Sequence, residues 1–315
     1  MNVAVSATGL LLYSDSNTFS QFTWFDRAGK SLGVVGESAD NGPSRLSPDG
    51  RLVAVSRDRP GGSELWLLEV ERGISKRFTN SGSNLYPVWS PDGQTIVYTS
   101  GNSRNLFRKE SSGAASEQRL TQSPNYQLAT DWSRDGRVVL YHESRPATLR
   151  DLWILPVTPD GRPATDGQPR RYLDTPFNES WGRFSPETSP RWVAYQSDES
   201  GRYEVYVQAF PEPRGARQIS TGGGQYPQWG AGGLELFYVS PDFKLMTVSL
   251  KLGADSVQPS PPRELFPLPA TAIGGSPYDA TSDGQRFLVS AIPPRTSLTV
   301  IVNWPALLKK RPGTQ

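Results

Sequence analysis

One four-residue turn recurs along this chain and constrains what it can fold into. Ser-Pro-Asp-Gly stands at residues 47–50 and again at 90–93, Ser-Arg-Asp-Gly at 133–136 and Thr-Ser-Asp-Gly at 281–284. Proline presets the second position of a type I turn, aspartate bonds nearby backbone, and glycine accepts the positive φ that ends such a turn. A β-branched or aromatic run follows, as in Thr95-Ile96-Val97-Tyr98, and a large aromatic precedes: Trp89 and Trp132, with Phe184 and Trp229 at the matching place in less regular copies. The unit is therefore strand, tight turn, strand.

Marked by its glycine, the series begins at Gly9 and continues through Gly50, Gly93 and Gly136, spaced 41, 43 and 43 residues apart. A degenerate copy (Phe184–Tyr195) follows, then one at Gly233 and one at Gly284. After each pair of strands comes a polar loop and a third strand, such as Glu64–Val70 or Asp151–Val157, and in six copies a short fourth strand. No helical period is sustained. A repeat of 40–45 residues with four strands is the signature of a propeller blade. Sheets stacked radially bury each other's faces, with the aromatics before the turns filling the space between them. The expectation is an all-β, seven-bladed β-propeller of four-stranded antiparallel blades, with six or eight blades as the alternatives. The repeats start near 2, 43, 86, 129, 181, 226 and 277, the propeller spans 1–304, and 305–315 is a tail. The last copy stops after its third strand, Leu298–Trp304. The last blade is thus read as three-stranded, with closure imperfect or completed from upstream sequence.

The chain has 33 basic and 31 acidic residues and no cysteine. Its basic residues are scattered, which argues against a nucleic-acid surface. Disulfides and thiolate metal sites are impossible. No apolar run approaches the ~20 residues of a spanning helix, and the N-terminus shows no leader pattern, so no membrane insertion is expected. Location is then cytoplasmic, or extracytoplasmic if the chain belongs to an exported parent.

The phrases SPDGRLVAVS, WSPDGQTIVYTS and FSPETSPRWVAYQSDESGRYEVYV resemble the WD-like repeats of TolB-type propellers. FTWFDRAGKSLGVVGE, TPFNESWGRFSP, ISTGGGQYPQW and ELFYVSPDFKLMTVSL are similar, more narrowly, to the C-terminal propellers of certain bacterial serine/threonine protein kinases. The resemblance implies a non-catalytic propeller that binds or senses something. The kinase motifs themselves are absent, as is the globular N-terminal domain of TolB, so neither kinase activity nor the Tol-system role carries over.

Chemistry is scarce. The one histidine, His142, has no G-x-S-x-G elbow to serve and reads as a loop residue. One His and no Cys leave no conventional zinc site, and the turn aspartates form no calcium loop. Gly222–Gly224 precedes a strand and lacks a lysine, so it is no phosphate loop. No catalytic residue, metal or cofactor is therefore assigned. A ligand is expected at one mouth of the channel, where loops enter the innermost strands. By register these positions hold Arg45, Tyr86, Asp131, Glu179, Trp181, Arg183, Tyr226, Gln228, Tyr278 and Asp279, a mixed aromatic and charged set suited to a protein, peptide or glycan. The bland alternative is that they fill the mouth and satisfy backbone. The reading is a monomeric binding or sensor module. The alternative is a carbohydrate-active or peptidase-associated propeller whose catalytic part is missing or unrecognised.

Overall fold

The structure, a computed structural model, describes residues 2–6, 10–14, 19–80, 82–101, 104–146, 149–165, 167–271, 275–293, 299–302 and 304. The expected tail at 305–315 and the marker Gly9 lie outside these residues. Strand–turn–strand units form where expected. In the second Ser-Pro-Asp-Gly turn, Gly93 N–H donates to Ser90 O at 2.9 Å, and Ser90 Oγ donates to Asp92 Oδ1 at 2.6 Å. Gly93 has φ +71°, the left-handed conformation that the motif requires.

Six four-stranded antiparallel blades result, not seven. Blade 1 runs Asn41–Leu46, Leu52–Arg59, Gly62–Glu69, Ser75–Arg77. Blade 2 is Leu85–Trp89, Thr95–Ser100, Asn105–Glu110, Gln118–Arg119, and blade 3 is Gln127–Trp132, Val138–Arg145, Leu149–Pro156, Arg170–Arg171. Blade 4 is Ser180–Phe184, Trp192–Ser197, Glu204–Ala209, Arg217–Gln218. Blade 5 is Gln225–Trp229, Glu235–Val239, Lys244–Leu252 and Arg263–Pro267, with Val257–Pro259 pairing the far end of its long third strand.

Blade 6 explains the miscount. Its inner strands, Tyr278–Ala280 and Arg286–Ala291, come from the C-terminal part of the chain. Its outer strands, Ser20–Asp26 and Ser31–Ala39, come from the N-terminal part, with Phe287 opposite Phe25 and Val289 opposite Thr23. The first and last sequence copies are thus two halves of one blade, and pairing between them closes the ring. The segments that had seemed to begin and end a seventh blade form a separate three-stranded sheet, Asn2–Val5, Leu10–Ser14 and Thr299–Val302. Turn counting cannot distinguish a hairpin that belongs to a blade from one that does not.

The core is divided in the same way. Six apolar clusters each join two neighbouring blades. One between blades 4 and 5 packs Trp192, Val205 and Val207 against Leu236, Tyr238 and Val248. The one across the closure packs Phe22, Trp24 and Leu288 of blade 6 against Val53, Val55 and Leu68 of blade 1. Each sheet buries its faces only against its neighbours, which is why the ring must close.

Candidate functional site at the upper mouth of the channel

The innermost strands all run the same way, so the channel has two chemically different ends. At the lower end lie the Ser-Pro-Asp-Gly turns. At the upper end the chain enters each innermost strand. Between them, one residue per blade occupies a common register: Arg45, Val88, Asp131, Arg183, Gln228 and Asp279, opposite Ala54, Val97, Leu140, Ala194, Phe237 and Leu288 of the second strands.

Five of these six were expected to meet a ligand. The structure gives them another task. Asp279 Oδ2 of blade 6 accepts the Leu46 N–H of blade 1 at 2.7 Å. Asp131 Oδ2 of blade 3 accepts the Phe184 N–H of blade 4 at 2.8 Å. Gln228 of blade 5 accepts from Ala280 N–H at 3.1 Å and donates to Tyr278 O at 2.7 Å, both in blade 6. The indoles serve the remaining junctions: Trp89 Nε1 donates to Arg45 O at 3.0 Å, and Trp229 Nε1 to Arg183 O at 3.1 Å. Only between blades 2 and 3 is this bond missing, because Trp132 Nε1 has no partner. Arg45 lies 3.2 Å from Asp131 and 3.8 Å from Asp279. Arg183 lies 3.9 Å from Asp131 and also donates to Thr130 O. Burial, with Arg45 beside it, lowers the Arg183 guanidinium to about 10, which leaves it charged at neutral pH. The belt is a set of inter-blade staples with its charges internally paired.

Below the belt the channel widens into a cavity of about 750 Å³, lined by the belt and by turn residues such as Asp49, Arg134, Asp283 and Arg286. The sequence reading looked only to the upper end and did not expect this cavity; the turns themselves, arranged in a ring, were its signal.

The upper mouth is aromatic. Tyr86, Trp181 and Tyr226 occupy the position two residues before the belt in blades 2, 4 and 5. Trp181 is edge-on to Tyr226 at 5.0 Å between centroids and to Tyr86 at 6.0 Å. All three have positive φ, 55°, 56° and 56°, at irregularities where the innermost strand slips register with the second. Aromatic residues adopt this conformation at a cost, and such strain is retained where a side chain must be aimed. The three stay half-buried, so their faces are not spent on the core. Tyr278, the fourth expected aromatic, is buried among Phe237, Phe266 and Phe287 and donates from its hydroxyl to Tyr226 O at 3.0 Å. It supports the mouth from within.

Glu179 is buried as well. It accepts from Thr175 Oγ1 and from Ser197 Oγ, and burial pushes its carboxyl up to about 7, with Asp151 adding to the effect. His142 lies inside a strand of blade 3 and is buried, which corrects its reading as a loop residue. Its ring meets Trp181 edge-on at 6.1 Å, and burial holds it neutral, down to about 3.

Sequence reasoning missed the surroundings of these aromatics. Arg104 covers the Tyr126 ring at 4.7 Å, and Arg150 follows the loop between the second and third strands of blade 3. Phe19, Leu149, Phe177 and Phe243 are large and exposed, and the topology puts all four on connections at the upper end. No group of three or more His, Cys, Asp or Glu side chains that could hold a metal ion lies among the described residues.

Comparison with known proteins agrees with the blade chemistry. Residues 27–151 of this propeller match the model of the TolB β-propeller domain. A protein of Agrobacterium fabrum with no assigned role is 28% identical over 166 residues, which span 50% of this chain and 52% of that protein. A TolB homologue of Chlorobium chlorochromatii is 31% identical over 101 residues, 32% of this chain and 23% of its own. The match thus spans about half the first relative and less of the second. Among solved structures, one assigned to TolB from Agrobacterium tumefaciens superposes with a TM-score of 0.64 at 17% identity, covering 86% of this chain and 97% of that one. TolB from Acinetobacter baumannii gives 0.58 at 14%, covering 91% and 66%. An oligogalacturonate lyase in complex with manganese gives 0.55 at 13%, covering 96% and 81%. At these identities the structural likeness speaks for the fold alone. No helix among the described residues is long and apolar enough to cross a membrane.

Proposed function

We propose that this TolB-like propeller is a non-catalytic binding module that takes a protein or peptide segment on its upper face. The observation that carries the reading is the make-up of that face. Three half-buried aromatics on strained backbone stand at the channel mouth, and four exposed large hydrophobics lie on connections of the same face. Aromatic anchors within a mixed rim are what polypeptide partners dock on. The belt supports the same reading, because the carboxylates nearest the axis are engaged with backbone N–H groups and arginines rather than poised for proton transfer.

Random-peptide display against the wild-type protein tests this. Binders should be retained by an Asp49→Ala variant on the lower rim and lost by Trp181→Ala. Binders that survive Trp181→Ala but fail when the lower cavity is altered would move the site to the other end. The neighbouring lyase propeller keeps a second reading open to experiment. Turnover on glycan or peptide panels that disappears in Glu179→Gln would replace the binding reading with an enzymatic one. A sensory role in a kinase-type signalling protein, outside the cytoplasm, is the finer form of the proposal. It draws on the kinase-like phrases, and fractionation of the native protein addresses it.

A further inference from the structure

Resting on the reading of the upper mouth as a peptide site, we infer that Arg150 is the ligand's polar anchor and that the segment it selects carries a carboxylate. Several buried and half-buried arginines of the ring have acidic partners. Arg45 has Asp131 and Asp279, Arg183 has Asp131, Arg145 has Glu143 at 3.3 Å and Asp151 at 3.8 Å, and Arg27 has Glu235. Arg150 is half-buried too, yet its guanidinium makes no ion pair or hydrogen bond with any described residue. Neither Asp151, next to it in the chain, nor Glu179, whose N–H its carbonyl takes, forms an ion pair with it. Asp151 is fully buried with Arg145 as its nearest cation, and Glu179 takes the Thr175 and Ser197 hydroxyls. Only the backbone of Arg150 is engaged, its carbonyl accepting Glu179 N–H at 2.8 Å.

The Arg150 charge acts on Tyr86 of blade 2, His142 of blade 3, Tyr203 before the third strand of blade 4, and Tyr226 of blade 5. The backbone of Arg150 places it beside the mouth, because its carbonyl takes the N–H of Glu179, two residues before Trp181. Arg104, exposed and stacked on Tyr126, adds a second cation without an acidic partner among the described residues. A guanidinium without an acidic partner and partly removed from water favours a planar, charge-matched acceptor that it can grip through two N–H groups. The tyrosines and Trp181 would take the apolar neighbours of that residue. The carboxylate can be a peptide's C-terminus or an Asp or Glu side chain.

Fluorescein-labelled heptapeptide pools test this by anisotropy. One pool carries Asp or Glu at a fixed central position, a second carries Asn or Gln there, and each is made with a free and with an amidated C-terminus. The wild-type protein should bind the carboxylate-bearing pools about tenfold more tightly than the fully neutral pool. Which carboxylate matters is read from the two half-neutral pools. Arg150→Gln should erase the preference while keeping the neutral-pool affinity, and Arg150→Lys should recover part of it. Thermal melts establish that each variant is folded. Equal binding of all pools by wild type, abolished by Trp181→Ala, would overturn the anchor while leaving the mouth as a peptide site. No binding of any pool by wild type would overturn both. An undiminished preference in Arg150→Gln would also overturn the assignment.

Discussion

Removing the Asp279 carboxylate should weaken the ring at the junction between blade 6 and blade 1. Its Oδ2 accepts the Leu46 N–H at 2.7 Å, and its Oδ1 lies 3.8 Å from Arg45. Alanine deletes a charge-assisted hydrogen bond of about 1.5–3 kcal/mol and leaves a backbone N–H without an acceptor, at about 1–3 kcal/mol. These overlap, because the bond energy already contains part of the desolvation. Arg45 keeps Asp131 at 3.2 Å and is not stranded. The net cost is therefore about 3 kcal/mol, or about 5 °C in melting temperature for a chain of this size. Asparagine separates the contributions. It retains an oxygen for Leu46 N–H and loses only the charge, so it should cost about 1 kcal/mol. Urea unfolding of wild type, Asp279→Ala and Asp279→Asn, followed by tryptophan fluorescence, measures all three. Alanine and asparagine variants within 0.5 kcal/mol of wild type, a margin set well below about 3, would refute the stapling argument and return Asp279 to the pool of ligand contacts.

Trp229→Phe and Trp132→Phe delete the same atoms, but only Trp229 gives up a bond, to Arg183 O. The first should cost about 1 kcal/mol more in urea unfolding. Gly93→Val should destabilise by about 2 kcal/mol through backbone strain alone, because a Cβ there meets open space; an unchanged melting temperature would mean that the turn tolerates negative φ. Stability against pH should show two opposed slopes. Glu179, raised to about 7, binds its proton more tightly when folded, so its contribution is full below about 4.5 and is lost as pH rises to about 7. His142, lowered to about 3, acts in the other direction, and stability is lost as pH falls from about 6.5. The slopes cancel where they overlap. Glu179→Gln should leave stability rising with pH from about 4.5 to 6.5, and His142→Gln should leave it falling, as thermal melts across that range would show.

Much of the fold was legible because the turn is a local device. Ser90, Asp92 and Gly93 satisfy one another within four residues, so the motif means the same thing wherever it occurs. Blade number was not legible, because it depends on whether Trp24 and Phe25 pair within their own repeat or with Leu288 and Phe287, far along the chain. That choice is made by closure of the ring, which no local pattern encodes. The site shows the same division. Register gave Tyr86, Trp181 and Tyr226 one shared position in the repeat, and the structure brings their rings together. It could not separate them from Arg45, Asp131 and Asp279, on the innermost strands of the other three blades, whose partners sit on other blades. Arg150 was invisible because its meaning lies in having no partner, which only three dimensions reveal.

The division between belt and mouth also explains how one small ring can be both stable and free to bind. A channel lined by charges would ordinarily attract ligands to its axis. Here those charges are consumed in pairs, and their oxygens hold neighbouring blades together, so substitutions at the belt are expected to register as stability. Two residues higher the backbone turns to positive φ, and the side chains leave the blade-to-blade interface for the mouth. The cost of that conformation is borne by the staples immediately beneath it: Asp131 holds Phe184, three residues after Trp181, and Gln228 holds Ala280 from a position two residues after Tyr226. Two of the three strained aromatic positions, Trp181 and Tyr226, are thus followed within three residues by an inter-blade staple. Changing a mouth aromatic should alter binding with little effect on unfolding, and changing a belt carboxylate should do the reverse.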